Sequence, residues 1–189
     1  MSTKYEEILV VTYRLFAEVG IEKTSMSRIA KELGISKPAI YYYFPSKGAL
    51  INTLFDFLMK EIQFQNFFNQ EEYTPHNIRQ KLIVDGHAMI KQQAADPHYE
   101  KVMSEYYALS AKETKFAIEL KHVLHIYLEG FTRLLELAVA ADLIDRKDVH
   151  LRAQFLTLIV DGLDKYTDKE YNVDPSEIWT FAVHSALKN

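Results

Sequence analysis

Acid–base, nucleophilic and metal chemistry all need side chains that converge, and this chain of 189 residues offers few that do. It contains no cysteine, which excludes disulfide frameworks, thiolate zinc sites and cysteine nucleophiles. Its seven histidines (His76, His87, His98, His122, His125, His150 and His184) are scattered over different expected helices and loops. His122 and His125 are three apart and can share a helix face, as metal ligands do. No carboxylate or third histidine can be placed beside them from spacing, so an ordinary surface or core pair is the simpler reading. No glycine-rich phosphate loop, no HExxH and no Gly-x-Ser-x-Gly pattern occurs. The chain therefore reads as a non-enzyme with no metal and no cofactor.

A different chemistry is offered by Tyr41-Tyr42-Tyr43, with Lys37 ahead of it and Lys47 behind. Each step along a helix turns about 100°, so three consecutive tyrosines cannot share one buried face and at least one must meet solvent. A tyrosine triplet makes an odd solvated surface, whereas DNA supplies partners for both ring and hydroxyl. The elements that must position it are two short helices in Thr24 to Lys47. The first runs over Met26–Leu33 behind Ser25, the second from Lys37 to about Phe44 behind Ser36, and both serines can cap free N–H groups. Pro38 is tolerated in the first turn of the second helix, and Gly34 permits the positive φ of the reversal between them. Ile29, Ala30 and Leu33 face Ile35, Ile40 and Phe44 across that turn, which is the core of a helix-turn-helix.

The same string resembles the head of TetR-family regulators: Ile29-Ala30, Gly34-Ile35-Ser36, Pro38-Ala39-Ile40, Tyr41-Tyr42-Tyr43-Phe44 and Lys47 stand in that family's register. The likeness covers roughly the first 50 residues, and beyond them only helix count and order agree. It implies that Lys37 and Ala39 face bases, where a lysine donates to guanine O6 and N7 and an alanine methyl meets thymine. It also implies that Ser25, Tyr41, Tyr42, Tyr43 and Lys47 fix the register on phosphates or sugars, with Ser36 at the helix start. Lys47 lies in the first turn of the next helix, where its charge opposes the helix dipole and a phosphate would compensate it. Ser27 departs from the pattern, because many relatives carry a base-reading arginine there; Arg28, turned about 100° away, reaches only phosphate.

The rest of the chain reads as helical too. A first helix carries Ile8, Leu9, Thr12, Leu15, Phe16 and Val19 and stops at Gly20, and Ser46 caps a fourth with Leu50, Leu54, Phe55 and Leu58. Further helices are expected behind Thr74-Pro75, from His98 to Leu109, from the Ser110…Glu113 capping-box spacing to about Ala141, from Lys147 to Thr167, and from Pro175 to Leu187. The expectation is an all-α protein of about nine helices, with a three-helix DNA-binding head (residues 1–47) and a helical ligand-binding and dimerisation body (residues 48–189). The Phe64–Tyr73 stretch fits either a pocket entrance or the end of a helix.

Charge follows this division. The chain carries −4 overall, yet through Lys47 seven basic residues face five acidic ones, so the head is +2 and the rest −6. The polar start shows no signal peptide, and no apolar run nears the roughly 18 residues needed to cross a bilayer, which suggests a soluble cytoplasmic protein with no membrane partner.

The resemblance implies a homodimer built on the last two helices. Phe155, Leu158, Ile159, Gly162, Ile178, Trp179, Ala182, Val183 and Ala186 are candidates for that interface, with an ordinary monomeric core as the alternative. It also implies a sensor cavity, for which Phe64, Phe67, His87, Met103, Tyr106, Tyr107, His122, His125 and Tyr127 are candidate linings for an apolar or aromatic effector. Plain core packing is the competing reading for each of these. The function expected is a sequence-specific transcriptional regulator, a repressor released from double-stranded operator DNA by a small molecule. The alternative keeps the head but places control with a protein partner.

Overall fold

The computed structural model describes residues 3–163, 165 and 172–188. They form ten α-helices: α1 (Lys4–Val19), α2 (Met26–Glu32), α3 (Lys37–Tyr43), α4 (Lys47–Glu61), α5 (Phe64–Phe67), α6 (Ile78–Ala94), α7 (Tyr99–Ser110), α8 (Thr114–Ala140), α9 (Val149–Leu163) and α10 (Pro175–Ala186). Two 3-10 turns cover Gln70–Glu72 and Arg146–Asp148, and no strand occurs among the described residues. The all-α architecture is as the sequence suggests. The additional helix is α5, a single turn that the aromatic stretch after α4 makes on its own.

Helix starts follow the caps. Thr3 and Glu6 close a capping box on α1, and the Ser25, Ser36 and Ser46 hydroxyls accept from the N–H groups of Arg28, Ala39 and Ala49. Asp174 accepts from the N–H groups of Ser176 and Glu177 at the start of α10.

Two expected starts are corrected. Thr74 and Asn77 exchange hydrogen bonds (2.7 and 3.3 Å), which closes a local turn around Pro75, so α6 begins only at Ile78. The Ser110 hydroxyl donates to the Tyr107 carbonyl at 2.7 Å and finishes α7 instead of capping α8. The expected end of the penultimate helix, Thr167, lies outside the described residues.

Packing divides the chain into two compact units, Met1–Glu61 with Pro97–Ile118, and Ile62–Asp96 with Glu119–Asn189. The helix-turn-helix is therefore part of a larger unit than residues 1–47, one that includes α4, α7 and the start of α8. In this unit Ile8, Leu15, Met26, Ile29, Ala30, Ile40, Phe44 and Leu50 form one buried cluster under the helix-turn-helix. A second apolar focus joins the Phe55, Tyr106 and Phe116 rings, with centroids 4.8 to 5.7 Å apart. The Tyr106 hydroxyl donates to the Ile51 carbonyl at 2.9 Å, and burial pushes its proton affinity far above that of a free phenol.

The second unit is organised around aromatic rings. Phe64 and Phe68 of the α5 region pack against Phe131, Phe64 also meets Tyr127, and Trp179 of α10 closes the group against Phe68 and Phe131. Trp179 is fully buried, and its Nε1 donates to the Leu82 carbonyl of α6 at 2.8 Å. The indole lies directly on Gly86, where a Cβ would fall 1.9 Å from Nε1, so only glycine lets α6 and α10 meet this closely. The loop before α6 is held by the Tyr73 hydroxyl donating to Asp85 at 2.6 Å.

Gly86→Ala is expected to destabilise the protein by about 3 kcal/mol, the upper end of overpacking costs, because both the ring and its hydrogen bond must move. Urea denaturation followed by tryptophan fluorescence reads this out. An unchanged midpoint would mean that α6 and α10 do not meet at this point.

Candidate nucleic-acid interface

The reversal between α2 and α3 is made at Gly34, whose φ of 64° is in the left-handed region. The Ile35 N–H then donates back to the Ala30 carbonyl at 3.0 Å, which satisfies a carbonyl at the end of α2. Met26, Ile29 and Ala30 point inward from α2. From α3 only Ile40 is fully buried, and Phe44, one turn later, follows it into the core as the backbone leaves the helix.

With Ile40 and Phe44 inside, the helical period puts Tyr42 opposite them and Tyr41 and Tyr43 on the two flanks. Tyr41, Tyr42 and Tyr43 are all exposed, Tyr42 to 85%. Tyr42 and Tyr43 meet edge to face at 5.2 Å, and the Lys37 ammonium lies 6.0 Å from the Tyr41 ring centroid, at the outer limit of a cation–π contact. Tyr5 of α1 stacks on Phe44 at 4.9 Å and covers the end of the helix.

Ser25, Ser27, Arg28, Ser36 and Lys37 are exposed, and Ala39 is half-buried. The face thus collects the hydroxyls, two cations and three phenols that the sequence singled out. Lys47 differs from the rest. It is half-buried, and its ammonium donates to the Glu22 carbonyl at 2.9 Å, so a main-chain oxygen answers its charge at the start of α4. An ammonium has three donors, so two remain for another partner.

Two further contacts hold the head and were not legible in the sequence. Arg14 of α1 bridges Glu18 at 3.1 Å and Glu32 at 2.8 Å, and its hydrogen bond holds the Glu32 carboxyl below the usual range. The pair is exposed, so it clips α1 to α2 without contributing much stability. The Glu105 carboxylate of α7 accepts the Ile21 N–H at 2.7 Å. Nothing in the local pattern marks a partner 84 residues away.

The candidate effector residues fall in different places. Met103, Tyr106 and Tyr107 belong to the first unit, where Met103 and Tyr106 are buried and Tyr107 is exposed. In the second unit Phe64 and Tyr127 sit in the aromatic group, and Phe67 is half-buried. His122 is exposed, and His125 pairs with Glu129 at 3.1 Å on the surface of α8. His87 contacts Ser176 and Thr180 of α10 and lines an open groove of about 370 Å³ with them. His125 borders another, of about 310 Å³, with Arg133 and His150. No group of three metal-ligating side chains occurs among the described residues.

The candidate dimer residues separate into two sets. Trp179, Ala182, Val183 and Ala186 are buried within their own unit, where α10 packs on α6 and α9, and Trp179 meets α6. Phe155, Leu158 and Ile178 are exposed, Leu158 to 70%, and Leu151 and Phe181 extend the same apolar character along α9 and α10. Ile159 and Gly162 are half-buried, and nothing lies within 4 Å of a Cβ built on Gly162.

Residues 8–54 match the model for bacterial regulatory proteins of the tetR family. Over 57 residues the chain is 44% identical to the uncharacterized HTH-type transcriptional regulator YuxN of Bacillus subtilis, a stretch that covers 30% of this chain and 20% of that one. Over 85 residues it is 32% identical to the nucleoid occlusion factor SlmA of Pasteurella multocida, covering 42% and 43% of the two chains. The chain thus spans less than half the length of these curated relatives. Across 97% of its length it follows the fold of the transcriptional regulator FadR from Bacillus subtilis, solved in complex with stearoyl-CoA, with a TM-score of 0.72, 21% identity and 98% of that chain covered. At that identity the likeness is one of fold.

Two substitutions on α3 separate its two faces. Ile40→Ala is expected to cost about 2–5 kcal/mol of stability through the cavity it leaves, and Tyr42→Ala less than about 0.5 kcal/mol. Thermal melts of both variants check this, and a large loss for Tyr42→Ala would show that its ring supports the fold.

Proposed function

We propose that this chain is a TetR-family repressor that binds operator DNA as a homodimer and is released by a small apolar or aromatic ligand, a reading supported by the family match of its head and by its helical fold. The observation that carries the reading is α3, a seven-residue helix with Ile40 buried and with Lys37 and three tyrosines turned outward. A helix of this kind enters the major groove, where Lys37 and Ala39 are placed for base edges. The hydroxyls of Ser25, Ser36 and the tyrosines, with Arg28 and the remaining donors of Lys47, hold the sugar–phosphate backbone. The +2 head against the −6 remainder favours DNA at this face alone.

Leu151, Phe155, Leu158, Ile178 and Phe181 support the homodimer, since an apolar strip of this kind on two neighbouring helices marks an association surface. Two heads held by one dimer would read half-sites one helical turn apart. For the effector, stearoyl-CoA in the FadR neighbour offers a probe with a long apolar acyl chain on a charged carrier, and the aromatic side chains of the second unit supply chemistry that matches the chain. The mutual packing of Phe64, Phe68, Tyr127, Phe131 and Trp179 favours the second reading, in which a protein partner rather than a small molecule acts on the body.

Fluorescence anisotropy with the DNA flanking the chain's own gene, over a salt series and with non-specific competitor, tests the DNA-binding reading. Competitor-resistant binding whose log affinity falls linearly with log salt is expected, with about a tenfold loss for Lys37→Ala or Tyr42→Ala. Absence of binding to a randomised duplex pool as well would overturn it. Release by stearoyl-CoA or by small aromatic acids supports the ligand reading, and binding of these probes without release points to a protein partner. Leu158→Glu is expected to shift the chain toward monomer in sedimentation and to weaken operator binding with it. A variant that remains dimeric would remove α9 from the interface.

A further inference from the structure

The turn between α1 and α2 is gripped from two sides by elements distant in sequence. Gly20 ends α1 with φ 85° and ψ 158°, and its N–H donates to the Phe16 carbonyl. In a Schellman-type helix ending the N–H after the glycine also returns to the last turn. Here the Ile21 N–H donates instead to the Glu105 carboxylate of α7 at 2.7 Å, and that carboxylate sits against Gly20, 3.1 Å from where a Cβ would stand. One residue further on, the Glu22 carbonyl accepts from Lys47 of α4. Thr24, fully buried, ties the same turn down by donating to the Gly20 carbonyl at 2.8 Å, and Ser25 then starts α2.

A carboxylate at the C-terminal end of a helix is on the unfavourable side of its dipole, and the last turn of α1 holds no basic residue to offset it. The compensation is the charge-assisted bond from the Ile21 N–H. The placement fits a holding contact better than a solvated side chain.

We propose that Glu105 is a positioning residue for DNA reading: through the Ile21 N–H it fixes the turn that sets the start of α2, and with it the placement of Ser25, Arg28 and α3 on the duplex. Glu105 need not touch DNA itself. The proposal rests on the DNA-binding reading for its effect on affinity, but not for the bond. Loss of the acceptor leaves Ile21 to hydrate and the turn to sample other conformations, which the protein must then reorder on binding. The loss falls on specific binding, where register matters, and spares non-specific binding, which depends on charge alone.

The test uses the full chain with Glu105→Ala and Glu105→Gln, the second keeping an acceptor oxygen without the charge. Amide hydrogen exchange by NMR reads the Ile21 N–H without DNA, and anisotropy reads operator and random duplex in parallel. Glu105→Ala is expected to speed Ile21 exchange at least tenfold and to weaken operator binding five- to tenfold, with random duplex changed less than twofold. Glu105→Gln is expected to restore both readouts to within about threefold of the wild type. Unchanged Ile21 exchange in Glu105→Ala would overturn the brace. Faster exchange with unchanged operator affinity, or equal losses on operator and random DNA, would overturn the positioning role. Should the wild type bind no DNA, the DNA-binding reading and this positioning role fall together, while exchange still decides whether the bond exists. Should Glu105→Ala not fold, Glu105→Asp, which draws the carboxylate back by one methylene, takes its place: Ile21 exchange unchanged from the wild type would overturn the brace.

Discussion

A seven-residue helix has too few internal hydrogen bonds to persist alone in water, so α2 and α3 exist only because a core underneath holds them. That core is small: Ile29 and Ala30 from one helix, Ile40 and Phe44 from the other, set against Ile8, Leu15 and Leu50. Each large side chain buried there contributes about 1.5–3 kcal/mol relative to exposure, enough to hold two helices that would otherwise fray. The burial also sets direction. With Ile40 and Phe44 inside, four residues apart, Tyr42 is turned fully outward and Tyr41 and Tyr43 stand on either flank, partly in solvent. The presentation of the tyrosine face and the stability of the head are therefore the same interaction seen from two sides.

The second unit follows a different rule. Its centre is a group of interlocked aromatic rings, and its closest helix contact depends on one missing side chain, that of Gly86 under Trp179. The indole N–H, which burial would otherwise leave without water, is satisfied by the Leu82 carbonyl. Trp179 is spent on this contact and Ala182, Val183 and Ala186 are buried too, while Ile178 and Phe181 of the same helix stand outside, as do Leu151 and Leu158 of α9. These helices are apolar on more than one side, and the chain itself covers one of those sides.

Ionic contacts are secondary to both cores. The Arg14–Glu32 clip lies at the surface, where solvent screens it, and refines a position that burial has already set, while Lys81 joins the exposed Glu72 to the more buried Asp85. The polar contacts that matter more are those to main-chain groups at turns: Lys47 on Glu22, Glu105 on Ile21, and Thr24 on Gly20. Each answers a backbone group that regular structure leaves over, and together they turn an irregular six-residue link into a defined joint.

The sequence by itself determined the local features, because their causes are local. Caps at Ser25, Ser36, Ser46 and Asp174, the reversal at Gly34, the inward set Ile29, Ala30, Ile40 and Phe44, and the exposure of the tyrosines all depend on residues within one or two helical turns. Where two local signals competed, as at Thr74-Pro75 and Ser110, the pattern alone misplaced the helix start, since turn closure and capping use the same residue types. Only the tertiary structure decided that α7 packs with the head, that Glu105 meets Ile21, and that Trp179 faces α6 rather than the outside. The physical reason is distance along the chain. Helical periodicity says which face of a helix is apolar, but a face that is apolar all round carries no record of which partner, 84 or 97 residues away, will cover which side.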